Sequence, residues 1–246
     1  RESQDIIRPQ TMSNFNFDKD YSPLILAVDT SSAHASFAIG RGQQILAAMK
    51  TDVPVPHSKT FFDHVSALLQ KADLSISQVD AFAAATGPGS FTGLRVGLSA
   101  IKGLSHALGK PAIGVSSIDA AALTMEAIGD VLIIIDAGRG EVYSGLRSIG
   151  EDRIPMPLGI DTVCQFSTVL EKSKQYTKDI LTVARIGTNE IGFDQGARPD
   201  WQIRSPKTLI AEEVAIYAAK VLNDRLSFPL SPNYIRPSDA EIKAAD

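Results

Sequence analysis

The sequence predicts a two-lobed α/β protein whose two halves are related. Two observations carry this prediction. Short apolar runs with strand character alternate with segments of helical period along most of the chain. The opening pattern also recurs: an apolar run ending at Asp29, a polar turn and a second strand, then an apolar run ending at Asp136, a turn and a strand. Laid over each other, the copies place Asp29 on Asp136 and Ile39 on Leu146. The boundary falls near Ile128–Asp130. That gives lobes at 22–128 and 129–230, an extension at 1–21 and an extended tail at 231–246. A length of 246 residues suits one large domain or two small ones.

The elements follow in order. Residues 1–20 are polar, contain Pro9 and lack periodicity, and 1–11 read as leader sequence ahead of Met12. Leu24–Val28 is a buried strand, Thr30–Ser32 a turn and His34–Ile39 a second strand. Gln43–Met49 is a third, entered through Arg41-Gly42. Pro54 and Pro56 break the chain. Phe61, Phe62, Val65, Leu68, Leu69 and Ala72 set a helix over Ser58–Ala72. Val79–Ala85 is a strand, Thr92–Leu108 a helix ended by Lys110-Pro111, and Ala112–Val115 a short strand. Ser117 caps a helix to about Ala127. In the second half, Val131–Ile135 and Glu141–Leu146 flank the turn 137–140. Beyond Pro155 and Pro157 come a helix over Gln165–Lys174, a strand over Ile180–Ile186 and a helix over Leu209–Arg225. The last has an apolar face of Leu209, Val214, Tyr217, Ala218, Val221 and Leu222. From Pro229 the chain reads as an extended surface segment.

Composition narrows the classes. The chain is 44% hydrophobic with a formal net charge of −4, which supports an ordinary core and argues against disorder. No Lys/Arg-rich run marks a protein that grips RNA by itself. One cysteine, Cys164, excludes an intrachain disulfide and a cysteine metal cluster; it is expected to be a small buried hydrophobe. Apolar runs fall short of a membrane span and no apolar signal core opens the chain, so the expected compartment is cytoplasmic.

The densest signal is the segment Thr86 to Leu104. An apolar run enters a Gly-Pro-Gly turn, and a helix follows with Leu94, Leu98, Ile101, Leu104 and Leu108 on one face. Gly93, Gly97 and Gly103 lie inside that helix, each costing about 1 kcal/mol against Ala. Three such glycines imply close backbone approach, to another helix or to a ligand. The G-x-G-x-x-x-G spacing of Gly87, Gly89 and Gly93 misses the dinucleotide fingerprint by one residue, and no Gly-Lys-Ser/Thr makes a P-loop. Two readings stay open: an anion seat at the helix N-terminus, or a tight strand-to-helix connection.

Five segments together resemble one family. They are Ile25-Leu-Ala-Val-Asp-Thr-Ser31, Gly87-Pro-Gly-Ser-Phe-Thr-Gly-Leu-Arg95, Gly114-Val-Ser-Ser117, Asp136-Ala-Gly-Arg-Gly-Glu-Val-Tyr143 and Tyr234-Ile-Arg-Pro237. In this order, from about Leu24 to Glu241, they resemble the TsaB (YeaZ) family. The duplicated halves likewise resemble the actin-like/sugar-kinase/Hsp70 superfamily, to which that family belongs. The resemblance implies a non-catalytic subunit of threonylcarbamoyladenosine synthesis on tRNA. It would dock the transferase TsaD through a helix pair, with TsaE as the associated ATPase, a homodimer when alone, tRNA met only through the complex, and no membrane.

Active members of the superfamily hold ATP phosphates with two hairpin turns and the adenosine with a Gly-Gly pair. By resemblance the turns are Asp29, Thr30 and Ser31, and Asp136, Ala137 and Gly138; no Gly-Gly occurs in this chain. The favoured reading is that Asp29 and Asp136 cap turns locally. No cofactor is therefore expected, ATP or ADP entering at most in the complex with TsaD. The His-x-x-x-His metal motif of TsaD is represented by His57 alone, with Phe61 four residues on. His34, His64 and His106 are scattered, so no metal is expected. The glycoprotease label of this branch finds no support around Ser90, which lacks a G-x-S-x-G elbow and reads as a turn or N-cap residue. An ATP-dependent transferase or kinase of the same superfamily is the competing reading.

The positive signal is interaction surface. Phe61, Phe62, Val65 and Leu69 on the first helix, with Gly93, Val96, Gly97 and Ala100 on the second, are the expected docking residues. Ser99, Gly103 and Ala107 add a second, small-residue face.

Overall fold

The computed structural model describes residues 10–11, 21–51, 57–173, 181–186, 201–224, 226–227 and 229–236. Five strands of the first half form one sheet: β2 (Leu24–Asp29), β3 (Ser36–Arg41), β4 (Gln44–Lys50), β5 (Ala81–Ala85) and β6 (Ala112–Val115), in the order β4-β3-β2-β5-β6. The second sheet contains β7 (Gly129–Gly138), β8 (Glu141–Ile149), β10 (Thr162–Gln165), β11 (Leu181–Ile186) and β12 (Trp201–Arg204), in the order β10-β8-β7-β11-β12. A short β9 (Pro155–Pro157) also pairs with β8. Pairing directions match between the sheets. Each first strand is antiparallel to the second and parallel to the fourth, and the fourth is parallel to the fifth. The duplication read from the sequence is a duplication of topology.

Its register is off by one. Asp29 pairs with Ser36, whereas Asp136 pairs with Val142, with an irregularity between Asp136 and Gly138. The second hairpin is thus one residue shorter at its turn. Leu26 faces Ile39, but Leu146 faces Leu132 rather than Ile133. Overlaying Ile39 on Leu146 therefore mismatches the second strands.

The layers explain the alternation. Leu24, Leu26 and Val28 point to one face of the first sheet, with Phe37, Ile39 and Phe82, under α1 (His57–Lys71) and α2 (Phe91–Leu108). Ile25, Ala27, Ala38, Ala81, Ala83 and Ala85 point to the other face, under α5 (Ile210–Asn223). That helix presents Ala211, Ala215, Ala218 and Ala219 to them, so small residues on both sides let helix and sheet approach closely. Val131, Ile133 and Ile135 pack on α3 (Ser117–Leu123), and Leu132 and Ile134 pack with Val169 of α4 (Phe166–Ser173). The order of layers is α1/α2, first sheet, α5 beside α3, second sheet, α4.

The central helices are exchanged between the sheets. α3 follows β6 in the chain but packs on β7 and β8, while α5 follows β12 but packs on β2, β3 and β5. α3 is also shorter than expected. Ser116, not Ser117, caps it, accepting from the Asp119 amide at 3.4 Å, and Thr124 closes it ahead of Glu126 at φ 49°. Within the N-terminal extension, β1 (Gln10–Thr11) pairs with β13 (Leu226–Ser227). Pro54, Pro56, Pro237 and most of residues 1–20 lie outside the described residues.

Candidate functional site: two turns and a helix pair

Both aspartates cap their turns in the same way. The Ser31 amide donates to Asp29 Oδ1 at 2.9 Å, and the Gly138 amide donates to Asp136 Oδ1 at 2.7 Å. Each is an Asx turn, in which a carboxylate takes the backbone donor two residues on. The rest of the first turn is occupied by α2. Thr30 donates its hydroxyl to the Gly93 carbonyl at 2.8 Å, and the Ser90 amide donates to the Ser31 carbonyl at 2.7 Å. Asp29, Thr30 and Ser31 are all buried. The Thr30 hydroxyl and the Ser31 carbonyl are thus bonded into α2, and helix backbone lies close beside them.

The glycines of α2 serve that contact. A methyl group at Gly93 would overlap the Thr30 carbonyl oxygen, one at Gly97 the Thr30 hydroxyl, and one at Gly89 the Ser31 carbonyl oxygen. Of the two open readings of this segment, the geometry is that of a tight strand-to-helix connection. Ser90 is the N-cap, accepting from the Gly93 amide at 3.2 Å. Gly109, left-handed at φ 63°, is the C-cap.

The helix pair separates the expected docking residues into two groups. Phe61, Val65 and Leu69 are buried in the first lobe's core, and Phe61 meets Phe37 edge-on at 5.5 Å. Gly93 and Gly97 are buried against Thr30. These five residues hold the protein's own fold together. Val96 and Ala100 are half-buried on the same core. Phe62 alone of the eight is open, 59% exposed against 2% for Phe61. Sequence could not separate the two, because adjacent phenylalanines point about 100° apart on a helix and either suits an apolar stripe.

On α2 the outward face is the small-residue row. Ser99, Gly103 and Ala107 are exposed, and a methyl group at Gly103 would meet no atom of the described residues within 4 Å. Among the described residues no group of three His, Cys, Asp or Glu side chains is placed to hold a metal ion. The side chain of His57 lies outside the described residues. Cys164 is half-buried on β10, opposite Val142 and packed in the outer core of the second lobe. No helix among the described residues is long and apolar enough to cross a membrane.

Sequence reasoning missed two charged constellations. Arg147, buried, donates to Asp119 at 2.5 Å and to both oxygens of Asp161 at 2.8 and 2.9 Å, joining β8, α3 and the loop before β10. Arg153 donates to the buried Glu213 at 3.0 Å, and Thr208 donates to the same carboxylate at 2.8 Å. Burial raises the Glu213 carboxyl above its ordinary range, opposed by Thr208 and Arg153. An arginine inside the strand Glu141–Ile149, where the only other charged residue is Glu141, was the available signal for the first.

Residues 52–236 match the family model described as TsaD: tRNA N6-adenosine threonylcarbamoyltransferase. Within it, the chain is 30% identical over 199 residues to the tRNA threonylcarbamoyladenosine biosynthesis protein TsaB of Escherichia coli, covering 80% of this chain and 82% of that one. The chain belongs to the TsaB (YeaZ) branch of this family. The Bacillus subtilis TsaB is 37% identical over 127 residues, 50% of this chain and 54% of its own length. An uncharacterised Mycobacterium tuberculosis protein is 36% identical over 133 residues, 51% of this chain and 62% of its own. The chain thus spans rather over half the length of the Bacillus and Mycobacterium relatives. YeaZ from Pseudomonas aeruginosa superposes with a TM-score of 0.64 at 23% identity, covering 86% of this chain and 99% of that one. Component A of Acidaminococcus fermentans (R)-2-hydroxyglutaryl-CoA dehydratase superposes at 0.50 with 11% identity, covering 81% and 98%. With the duplicated strand order, these likenesses place the TsaB-family chain in the actin-like/sugar-kinase/Hsp70 fold.

Proposed function

We propose that this chain is a non-catalytic subunit of the tRNA threonylcarbamoyladenosine-synthesising complex, and that it docks TsaD through the outward face of α1 and α2. One observation carries the docking reading. Gly103 sits inside an 18-residue helix with open space where a side chain would stand. Nothing among the described residues calls for a glycine there, yet it costs about 1 kcal/mol against Ala. A partner backbone approaching from outside supplies the reason, and the exposed Phe62 on the neighbouring helix supplies an apolar anchor. The face is redrawn accordingly as Phe62, Ser99, Gly103 and Ala107, with Val96 and Ala100 at its margin.

The non-catalytic reading rests on how the candidate groups are engaged. Ser90 caps a helix, Thr30 bonds into α2, and no Gly-Gly adenosine contact exists in the chain. In this reading TsaE and tRNA reach the subunit through TsaD, the compartment is the cytoplasm, and copies pair through the same face when TsaD is absent. No nucleotide is held by the lone chain. The superfamily's strand order and paired Asx turns favour the ATP-dependent alternative, and the filled first turn opposes it.

The test mixes the full chain with TsaD of the same source and measures affinity by calorimetry and complex formation by size exclusion. Gly103→Leu and Phe62→Asp should each weaken binding by about thirtyfold, the loss of one interface anchor worth about 2 kcal/mol, while leaving the melting temperature within a few degrees. Normal binding by both variants would move the interface elsewhere. A sub-micromolar ATP site on the lone chain, lost on changing Asp29 or Asp136, would refute the non-catalytic reading.

A further inference from the structure

The Tyr234-Ile-Arg segment was expected to be part of an extended surface tail; the structure seats it across both lobes instead. Its first part lies on the first lobe. Leu230 is buried in the core beneath α1 and α2. The Asn233 amide donates to the Thr86 carbonyl at 2.7 Å, at the carboxyl end of β5. A methyl group at Gly114 would overlap the Pro229 carbonyl, so the segment runs tight against β6. Tyr234 stacks on Phe91 with ring centroids 4.7 Å apart. Arg95 lies 3.8 Å over the same Phe91 ring and donates its Nε to the Tyr234 hydroxyl at 3.2 Å.

The next two residues cross to the second lobe. Ile235 packs against the core between α3 and the second sheet. Arg236 donates to the Ala137 carbonyl at 2.9 Å, inside the second Asx turn, and pairs with Glu141 on the far side of that turn. Its guanidinium also lies 6.0 Å from the Tyr143 ring. Two residues therefore join the N-terminus of α2, which fills the first turn, to the hairpin that carries the second. The central helices α3 and α5 hold the lobes together in the middle, whereas this segment holds them where β5 and β7 end.

We propose that residues 229–236 are an inter-lobe latch, with Arg236 as its catch on the β7–β8 turn. The latch fixes the spacing of the two Asx turns, so the lobes do not part and close there as a two-lobed fold otherwise permits. The physical basis is the fork of the guanidinium: one arm takes a backbone carbonyl and another a carboxylate, setting both distance and orientation.

Hydrogen exchange measured by mass spectrometry on the full chain tests this. Arg236→Ala and Glu141→Gln are compared with the parent over residues 229–236, 136–143, 86–95 and the core strand 24–29. Glu141→Gln is the second variant because it alters a half-exposed side chain and leaves the segment itself intact. Each variant should speed exchange about tenfold or more at 229–236 and 136–143, with 24–29 unchanged. The double variant should add little to Arg236→Ala, which already removes the Glu141 pairing along with the bond to the Ala137 carbonyl. Unchanged exchange at 136–143 in both variants would overturn the latch. So would an equal acceleration at 24–29, which would make the segment a support of the whole fold rather than of lobe spacing.

Discussion

Gly93 and Gly103 stand in one helix, and the same substitution should have opposite effects at the two. Alanine at either position removes the entropic handicap of glycine, a gain of about 1 kcal/mol. At Gly103 no described residue lies within 4 Å of the added methyl group, so the gain stands alone. At Gly93 the methyl group would overlap the Thr30 carbonyl oxygen, which belongs to the backbone of a buried turn. Overpacking of this kind costs about 1–3 kcal/mol, and a rigid backbone neighbour puts it at the upper end. The net loss at Gly93 is then about 2 kcal/mol. For a chain of this size 1 kcal/mol shifts the melting temperature by about 2–4 °C. Gly103→Ala should melt about 2–4 °C higher, and Gly93→Ala about 4–8 °C lower. Calorimetric scans of both variants, paired with urea titrations at 25 °C, read the difference. Shifts of the same sign, or a neutral Gly93→Ala, would refute the packing argument for these glycines.

The adjacent phenylalanines give a second contrast: Phe61→Ala should lose about 3–5 kcal/mol in urea unfolding as a core truncation, and Phe62→Ala less than about 0.5 as a surface change. Glu213 gives a pH prediction. Its folded carboxyl is raised by burial above the ordinary value of 4.5, so the folded state holds the proton longer than the unfolded chain. The stability from that shift is present below pH 4.5 and is lost as pH rises through the folded pKa. Relative to Glu213→Gln, the parent should therefore lose stability as pH rises above 4.5, and a parallel pair of stability–pH curves would contradict it. Cys164→Ser should fold and support tRNA modification normally, because no second thiol exists to pair with it; complementation of a strain lacking the subunit checks this.

Local pattern made most of the architecture legible. Strands with two buried faces, such as Leu24–Asp29, declare themselves as short continuous apolar runs, and the stripe of α2 through its helical period of 3.6. The repeat of Asp29 at Asp136 marked the two halves, because a turn-capping carboxylate needs only its own neighbours. The short strands β9, β10 and β12 were not legible, since three or four residues carry too little period and their pairing is long-range. The candidate surface was half legible for a related reason. Periodicity says that a helix has an apolar face, but only the packed sheet decides that Phe61 turns inward and Phe62 outward.

What the sequence alone determined is therefore most of the longer elements, their order and their internal chemistry, because these depend on residues within a few positions of each other. The exchange of α3 and α5 between sheets, the seating of Gly93 and Gly97 on Thr30, and the passage of Tyr234 and Arg236 across both lobes were decided by tertiary structure. Arg95 meets Tyr234 across 139 positions and Arg236 meets Ala137 across 99. At such separations the partner of a side chain is fixed by how whole layers pack, and no local pattern in the chain records it.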